Sequence, residues 1–404
     1  MTSGNPPPGP RPLDGIRVLE VGQILAGPFA GAMLAYFGAE VIKVEPPDGD
    51  PIRGWRLLDG GTSLWWRSLA RNKKCITLDL RKAEGQSLLR RLAARSDVLI
   101  ENFRPGTLEG WGLGPADLEA VNPRLLFARV SGFGQTGPYA GRPGYAAVCE
   151  AVGGLRAVTG FPGGVPVRAN LSLGDTVAGL HTVIGILLGL VDRLRRQPER
   201  GQVIDVAIYE AVFNLLESTV PEYDRLGVVR QPSGATITGV VPSNLYPTAD
   251  GKQVIIGANS DPMFRRLMRA LGRPDLAEDP RLAVNAGRVE HQAEVDEAIA
   301  SWTRGRSVAE ALAVLEQAGV AAGSLYDVAD MFRDPHFQER GLFETVETPE
   351  GPLKVPALAP KLSATPGATE WGGSELGAHT EEVLRELVGL SAEEIERLRG
   401  EGVI

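Results

Sequence analysis

Ile16 to Val21, Glu40 to Val44, Cys75 to Leu80, Asp97 to Glu101 and Leu125 to Ser131 are short runs rich in apolar and β-branched side chains. Runs of that length predict buried strands. Between them the period changes. Gly27-Pro28 opens a helical stretch that runs to Phe37 and stops at Gly38, and Ala83 to Ala94 has helical spacing. The first strand, helix and strand form a βαβ unit, so its strands should be parallel with a right-handed crossover. The alternation continues along the chain and predicts an α/β fold built on a parallel, Rossmann-like sheet.

Two longer helical patterns follow, Asp175 to Arg195 and Val206 to Val220. The character then shifts across Gly227 to Gly239, which is rich in Pro, Ser, Gly and Thr. Beyond it lie a short strand, Gln253 to Gly257, and helical patterns at Pro262 to Leu271, Gln292 to Arg304 and Val308 to Ala318. Leu342 to Glu347 and Leu353 to Val355 are strand-like, and two acidic helices, Thr380 to Leu387 and Ala392 to Arg399, close the chain. The expected organisation is a disordered tail at 1–12, a large domain over 13–229, a smaller α+β domain over 230–335, and a final segment, 336–404, that returns to the large domain.

Composition narrows the function. The 404-residue chain is 43% apolar and 23% charged, with a net charge of −8. That is ordinary globular composition without the basic balance of a nucleic-acid binder. From Arg53 to Arg104, however, twelve Lys/Arg stand against five Asp/Glu, and such a segment suits either an anionic ligand or a solvated basic face. Two distant cysteines, Cys75 and Cys149, and four scattered histidines give no disulfide framework and no metal spacing. The N-terminus lacks the apolar stretch of a signal peptide, and the apolar run Val177 to Val191 is short for a bilayer. A cytoplasmic enzyme with no membrane partner is the expectation.

Three places carry candidate chemistry. Ligands in open α/β sheets bind at the carboxyl ends of strands, which singles out the loop Gly22-Gln23-Ile24-Leu25-Ala26-Gly27. It has neither the glycine fingerprint of a dinucleotide site nor the Lys-Ser/Thr ending of a phosphate loop. The segments Arg71-Asn72-Lys73-Lys74 with Arg81, and Asn102-Phe103-Arg104, follow predicted strands and offer cations, donors and an apolar ring for a nucleotide-like ligand. Ser172-Leu-Gly-Asp175-Thr precedes the most apolar helix. Asp175 there can be a helix N-cap, or a carboxylate nucleophile whose charge the helix end stabilises. The pattern leaves both open.

The blocks PLDGIRVLEVG (12–22), AGPFAG (26–31), FGAEVIKVE (37–45), RNKKCITLDL (71–80), VLIENFRPGTLEGWGLG (98–114), SGFGQTGPY (131–139), SLGDTVAGLH (172–181), GQVIDVAIYEAV (201–212) and LGAHTEEVL (376–384) together resemble the class III CoA-transferases. The resemblance implies an interlocked homodimer. It also implies CoA transfer from an acyl-CoA, succinyl-CoA being the first choice, to a free carboxylic acid. No cofactor beyond CoA itself and no metal is implied. Asp175 falls on the family's nucleophile, which forms aspartyl anhydride and thioester intermediates. Leu25, Ala26, Leu78, Arg81, Asn102, Phe103, Arg104 and Tyr145 fall on or beside CoA-contacting positions. Gln23, Arg53, Arg168 and Asn244 are candidates for holding the acyl group or a second carboxylate.

The chain also departs from the family pattern. Leu25 stands where oxalate-using members carry glutamine, and Ala146 stands where many carry an acidic residue after the aromatic. The His–Asp pair of the related racemases is absent at Tyr145-Ala146, and Gly239 to Tyr246 replaces a glycine-rich loop. An acyl-CoA racemase or lyase on the same fold, or a CoA-binding subunit without activity, are the alternatives.

Overall fold

The computed structural model describes residues 9–404. Six strands form the main sheet: β1 (Arg17–Glu20), β2 (Glu40–Glu45), β3 (Lys73–Thr77), β4 (Val98–Glu101), β5 (Leu126–Ser131) and β6 (Val203–Ala207). Every pairing is parallel, and the spatial order is β3-β2-β1-β4-β5-β6. The order reverses between β1 and β4, so the loops leaving those two strands part in opposite directions and open a crevice.

Period-two alternation assigns each strand residue to one face of the sheet. Leu19, Ile42, Val44, Ile76 and Leu99 pack with Leu88, Leu89 and Leu92 of α2 (Ala83–Ala93). Val18, Val41, Val98 and Ile100 turn the other way, onto Ala30 and Leu34 of α1 (Ala26–Tyr36) and Ile186 and Leu190 of α4 (Leu173–Arg196). A shorter helix, α3 (Ala146–Val152), lies between β5 and α4 in the chain. The C-terminal segment completes the first face: Val383 and Leu384, and Ile395 and Leu398 of the last helix (Ala392–Gly400), join the core beside α2.

The chain divides into two compact units. One comprises residues up to 155, 169–220 and 338–404, and the other 156–168 and 221–337. The second unit has its own core. Its antiparallel sheet, β7 (Ser243–Pro247), β8 (Gln253–Gly257) and β9 (Ala322–Ser324), has β8 in the centre. Val254 and Ile256 of β8 pack against Phe264 and Leu267 of the helix Asp261–Ala270, Ile299 of Gln292–Arg304 and Leu315 of Val308–Gln317. In the first unit, Phe343–Thr348 and Gly351–Pro356 form an antiparallel hairpin.

The structure corrects two expectations. The helix expected over Val206 to Val220 is β6 followed by two helices, Ile208–Phe213 and Thr219–Leu226. The β-branched run Val203-Ile204-Asp205-Val206 adds to the edge of β5, and this main-chain pairing overrides the helical spacing. Glu217, at φ +49°, breaks the chain between the two helices. The N-terminal tail lies largely outside the described residues, and Arg11 within it is tied to Asp14 and Glu370. The charge excess of Arg53 to Arg104 is mostly internal. Lys73 pairs with Glu20, Lys74 with Glu40 and Glu382, and Arg67 with Glu375. Arg90 caps the carbonyl of Gly112, and Lys82 those of Glu401 and Gly402.

Candidate active site

The crevice between β1 and β4 is walled by the loops Gly22 to Ala26 and Asn102 to Pro105. Asn102 fastens them together. Its Oδ1 accepts the backbone N–H of Gln23 at 2.7 Å, and its Nδ2 donates to the Gln23 carbonyl at 2.7 Å. Gly22 is required beside this clamp, because a Cβ there would lie 2.7 Å from Asn102 Oδ1. Asn102, expected on or beside a CoA-contacting position, has its amide engaged with the opposite loop.

The next residue is set by a buried carboxylate. Glu101 Oε2 accepts the N–H of Phe103 at 2.7 Å, while Arg129 donates to Glu101 and Glu109, each at 2.7 Å. Burial pushes the Glu101 carboxyl up to about 7, against the opposing pull of Arg129. The Phe103 ring meets Trp111 edge to face, with centroids 5.6 Å apart. Both rings line one cleft.

Asp175 is not the cap of its helix. Ser172 occupies the N-cap, and Asp175 is the third residue of α4, in its first turn. Here the dipole of a 24-residue helix favours a carboxylate. The residue before it is held from behind: Glu150, 1% exposed, accepts the N–H of Gly174 through Oε1 at 3.1 Å. Cys149 lies close to both acids. Its burial, with the charges of Asp175 and Glu150, pushes the thiol up to about 11, so it is protonated at neutral pH.

These parts line one cleft of about 240 Å³, which brings together Gln23, Leu25, Ala26, Asn102, Phe103, Arg104, Tyr145 and Asp175. Leu78 and Arg81 line a neighbouring cleft of about 260 Å³ with Trp111, and the two clefts share Gln23 and Phe103. Leu25, Ala26 and Leu78 are buried, so they offer backbone and shape, whereas Arg104 and Tyr145 are exposed. Arg81 is fixed by Asp79, with Nε to Oδ1 at 2.8 Å.

Arg53 has another task. Its guanidinium grips Glu45 with two bonds of 2.7 Å and lies 3.7 Å from the centroid of the Trp66 ring, and it lines neither cleft. Arg168 and Asn244 belong to the second unit, where Asn244 on β7 donates to Asp296 at 3.3 Å.

Sequence reasoning missed Arg142 and Glu150. Arg142 enters the Asp175 cleft because Gly144 packs on Gly132 at the end of β5. A Cβ on Gly132 would come 2.7 Å from the Cα of Gly144, so the segment lies directly on the strand end. The signal was the pair Gly132 and Gly144, which brackets the segment that carries Arg142. Glu150 looked like an ordinary helical residue, and nothing in the pattern shows that it reaches Gly174.

The family model described as CoA-transferase family III matches residues 13–380. A succinyl-CoA–D-citramalate CoA-transferase of Chloroflexus aurantiacus is 49% identical over the full length of both chains. The alpha subunit of a succinyl-CoA–L-malate CoA-transferase of the same organism is 45% identical, over 97% of this chain and 92% of that one. A solved CaiB/BaiF family protein from Brucella suis superposes with a TM-score of 0.82 at 34% identity, covering 94% of this chain and 100% of the other.

Proposed function

Because this chain belongs to CoA-transferase family III, we propose that it moves CoA from succinyl-CoA to a four- or five-carbon dicarboxylic acid, with Asp175 as the acyl acceptor. The observation that carries this reading is the placement of Asp175. It sits in the first turn of α4 and opens onto the cleft that the two switch-point loops enclose. The relatives named for citramalate and malate support the substrate class.

In the proposed reaction an Asp175 oxygen attacks the thioester carbonyl of succinyl-CoA. The C–S bond breaks and leaves an aspartyl–succinyl anhydride and CoA thiolate. The thiolate attacks the aspartyl carbonyl and releases succinate, so CoA is now thioester-bound to Asp175. The acceptor carboxylate attacks that thioester to give a second anhydride and thiolate. The thiolate then takes the acceptor acyl group and frees the Asp175 carboxylate. Each covalent step keeps the activated acyl bond, so the cycle calls for no cofactor besides CoA.

Within this reading, CoA lies across both clefts. Its base and phosphates occupy the Leu78, Arg81 and Trp111 side, and its thioester lies beside Asp175. Arg104 and Arg142 supply cations at the Asp175 end.

Two copies of the chain complete the protein in this reading. The outward face of α4 exposes Leu180, Ile184, Leu187, Leu188, Val191 and Leu194 at helical spacing. The helix is apolar and long enough to cross a membrane by those criteria alone. Its other face, through Val177, Ala178, Ile186 and Leu190, is packed in the core. An apolar stripe of this kind marks an interaction surface, here for a second copy.

The test is an acceptor screen: succinyl-CoA with citramalate, malate and glutarate, together with mass analysis after hydroxylamine treatment. Transfer with a hydroxamate on Asp175 supports the reading. Transfer by an Asp175→Ala variant at the wild-type rate would end it.

A further inference from the structure

The loop between β1 and α1 forms one wall of the cleft, and its backbone is bent in an uncommon way. Ile24 has φ +66°, a region that β-branched residues rarely adopt. No glycine stands at position 24 to make the bend easy, so something outside the loop must hold it.

A buried group does so. The carboxylate of Asp50, 2% exposed, accepts the N–H of Ile24 through both oxygens at 3.1 Å, and that of Ile52 at 3.1 Å. Asp50 is locked in turn. Its Oδ2 lies 2.8 Å from Lys43 Nζ, and Lys43, fully buried at the centre of β2, also donates to the carbonyl of Gly22. Lys43 further pairs with Glu20 at 3.3 Å, and the Asp50 N–H is taken by Glu45 at 3.0 Å. A carboxylate and an ammonium sealed beneath a loop are fixed in direction, because neither has water to turn towards.

We infer that Asp50, aimed by Lys43, is a positioning residue for transfer: it holds Gly22 to Ile24 in a preformed shape that the acyl-CoA meets without rearrangement. This rests on the reading of the cleft as the acyl-CoA site. Asn102 holds the same loop from the side, at Gln23. The loop is therefore gripped at three successive residues. Gly22 is held through its carbonyl, Gln23 through both backbone groups and Ile24 through its N–H. Such a wall is ready before substrate arrives, and preorganisation of that kind shows mainly in the binding of substrate and transition state.

Two double variants separate positioning from mere structural support. Lys43→Met/Asp50→Asn and Lys43→Met/Asp50→Leu both remove the buried charge pair at similar volume, and only the first keeps an oxygen facing Ile24. The expected result is at least a ten-fold lower kcat/KM for succinyl-CoA in the Leu variant than in the Asn variant. Most of that difference should appear in KM, at melting temperatures within a few degrees of each other. Equal kcat/KM in the two variants would overturn the inference.

Amide hydrogen exchange on the wild-type protein gives a readout that needs no variant to fold. Gln23 and Ile24 are expected to exchange as slowly as the core of β1 in the absence of CoA. Exchange at the rate of an unstructured chain would also overturn it. Wild-type protein that protects these amides yet transfers no CoA would count against the functional reading and leave the preformed loop standing.

Discussion

Asn102 and Gln23 exchange two hydrogen bonds of 2.7 Å across the crevice where the strand order reverses. One side chain thereby replaces the main-chain pairing that the diverging strands can no longer provide. Asn102→Ala orphans a donor and an acceptor, at about 1–3 kcal/mol for a half-buried pair. Steady-state kinetics should show kcat/KM for acyl-CoA falling ten-fold or more. Asn102→Asp keeps the acceptor and loses the donor, and should fall between the two.

Asp175→Ala should reduce transfer roughly 10³-fold or more, because it removes the proposed nucleophile. It should leave the fold almost untouched. The carboxylate's favourable interaction with the helix end is worth only about 0.3–1 kcal/mol. Kinetics and thermal melting on one preparation check both halves. A large loss of melting temperature would mean that Asp175 serves mainly the structure.

Glu150→Ala leaves the Gly174 N–H without its acceptor just behind Asp175. About 1–3 kcal/mol of stability should go, read as a lower urea midpoint. Glu150→Gln retains an oxygen in the same place and should recover most of that loss.

The Lys43–Asp50 pair fixes a pH dependence. Burial alone would raise the Asp50 carboxyl. The charge and hydrogen bond of Lys43 outweigh it and hold the group below its ordinary value of 3.8. The unfolded chain therefore binds the proton more readily. This contribution is fully present above that ordinary value and is lost as pH falls through the lower folded one. Lys43 is shifted upward from 10.5, chiefly by Asp50 and Glu20 acting against burial. Its share is complete below that value and is lost only as pH rises through the higher folded one. Denaturation curves across the acid range should show a shallower loss of stability for Lys43→Met/Asp50→Asn than for the wild type.

The exposed stripe on α4 predicts a solution mass of twice the 43.1 kDa chain. Ile184→Glu with Leu188→Glu places two charges on that face and should shift the mass towards a single chain in light scattering.

The sequence by itself determined the parallel sheet and the strand ends that face the crevice, and it left Asp175 open between helix cap and nucleophile. Short apolar strands alternating with helices admit few arrangements, and the carboxyl ends of those strands are where loops meet ligands. Local periodicity is a property of neighbours in the chain, so it reported elements such as β8 and the helix Gln292–Arg304 faithfully. It failed at β6, where pairing with a distant strand decides. Tertiary structure alone decided which polar groups face each other. Arg53 turned to Glu45, Asn102 to Gln23, Glu150 to Gly174 and Asp50 to Ile24. Those partners stand between 8 and 79 residues apart in the chain, and hydrogen bonding acts over about 3 Å of space, with no regard for sequence distance.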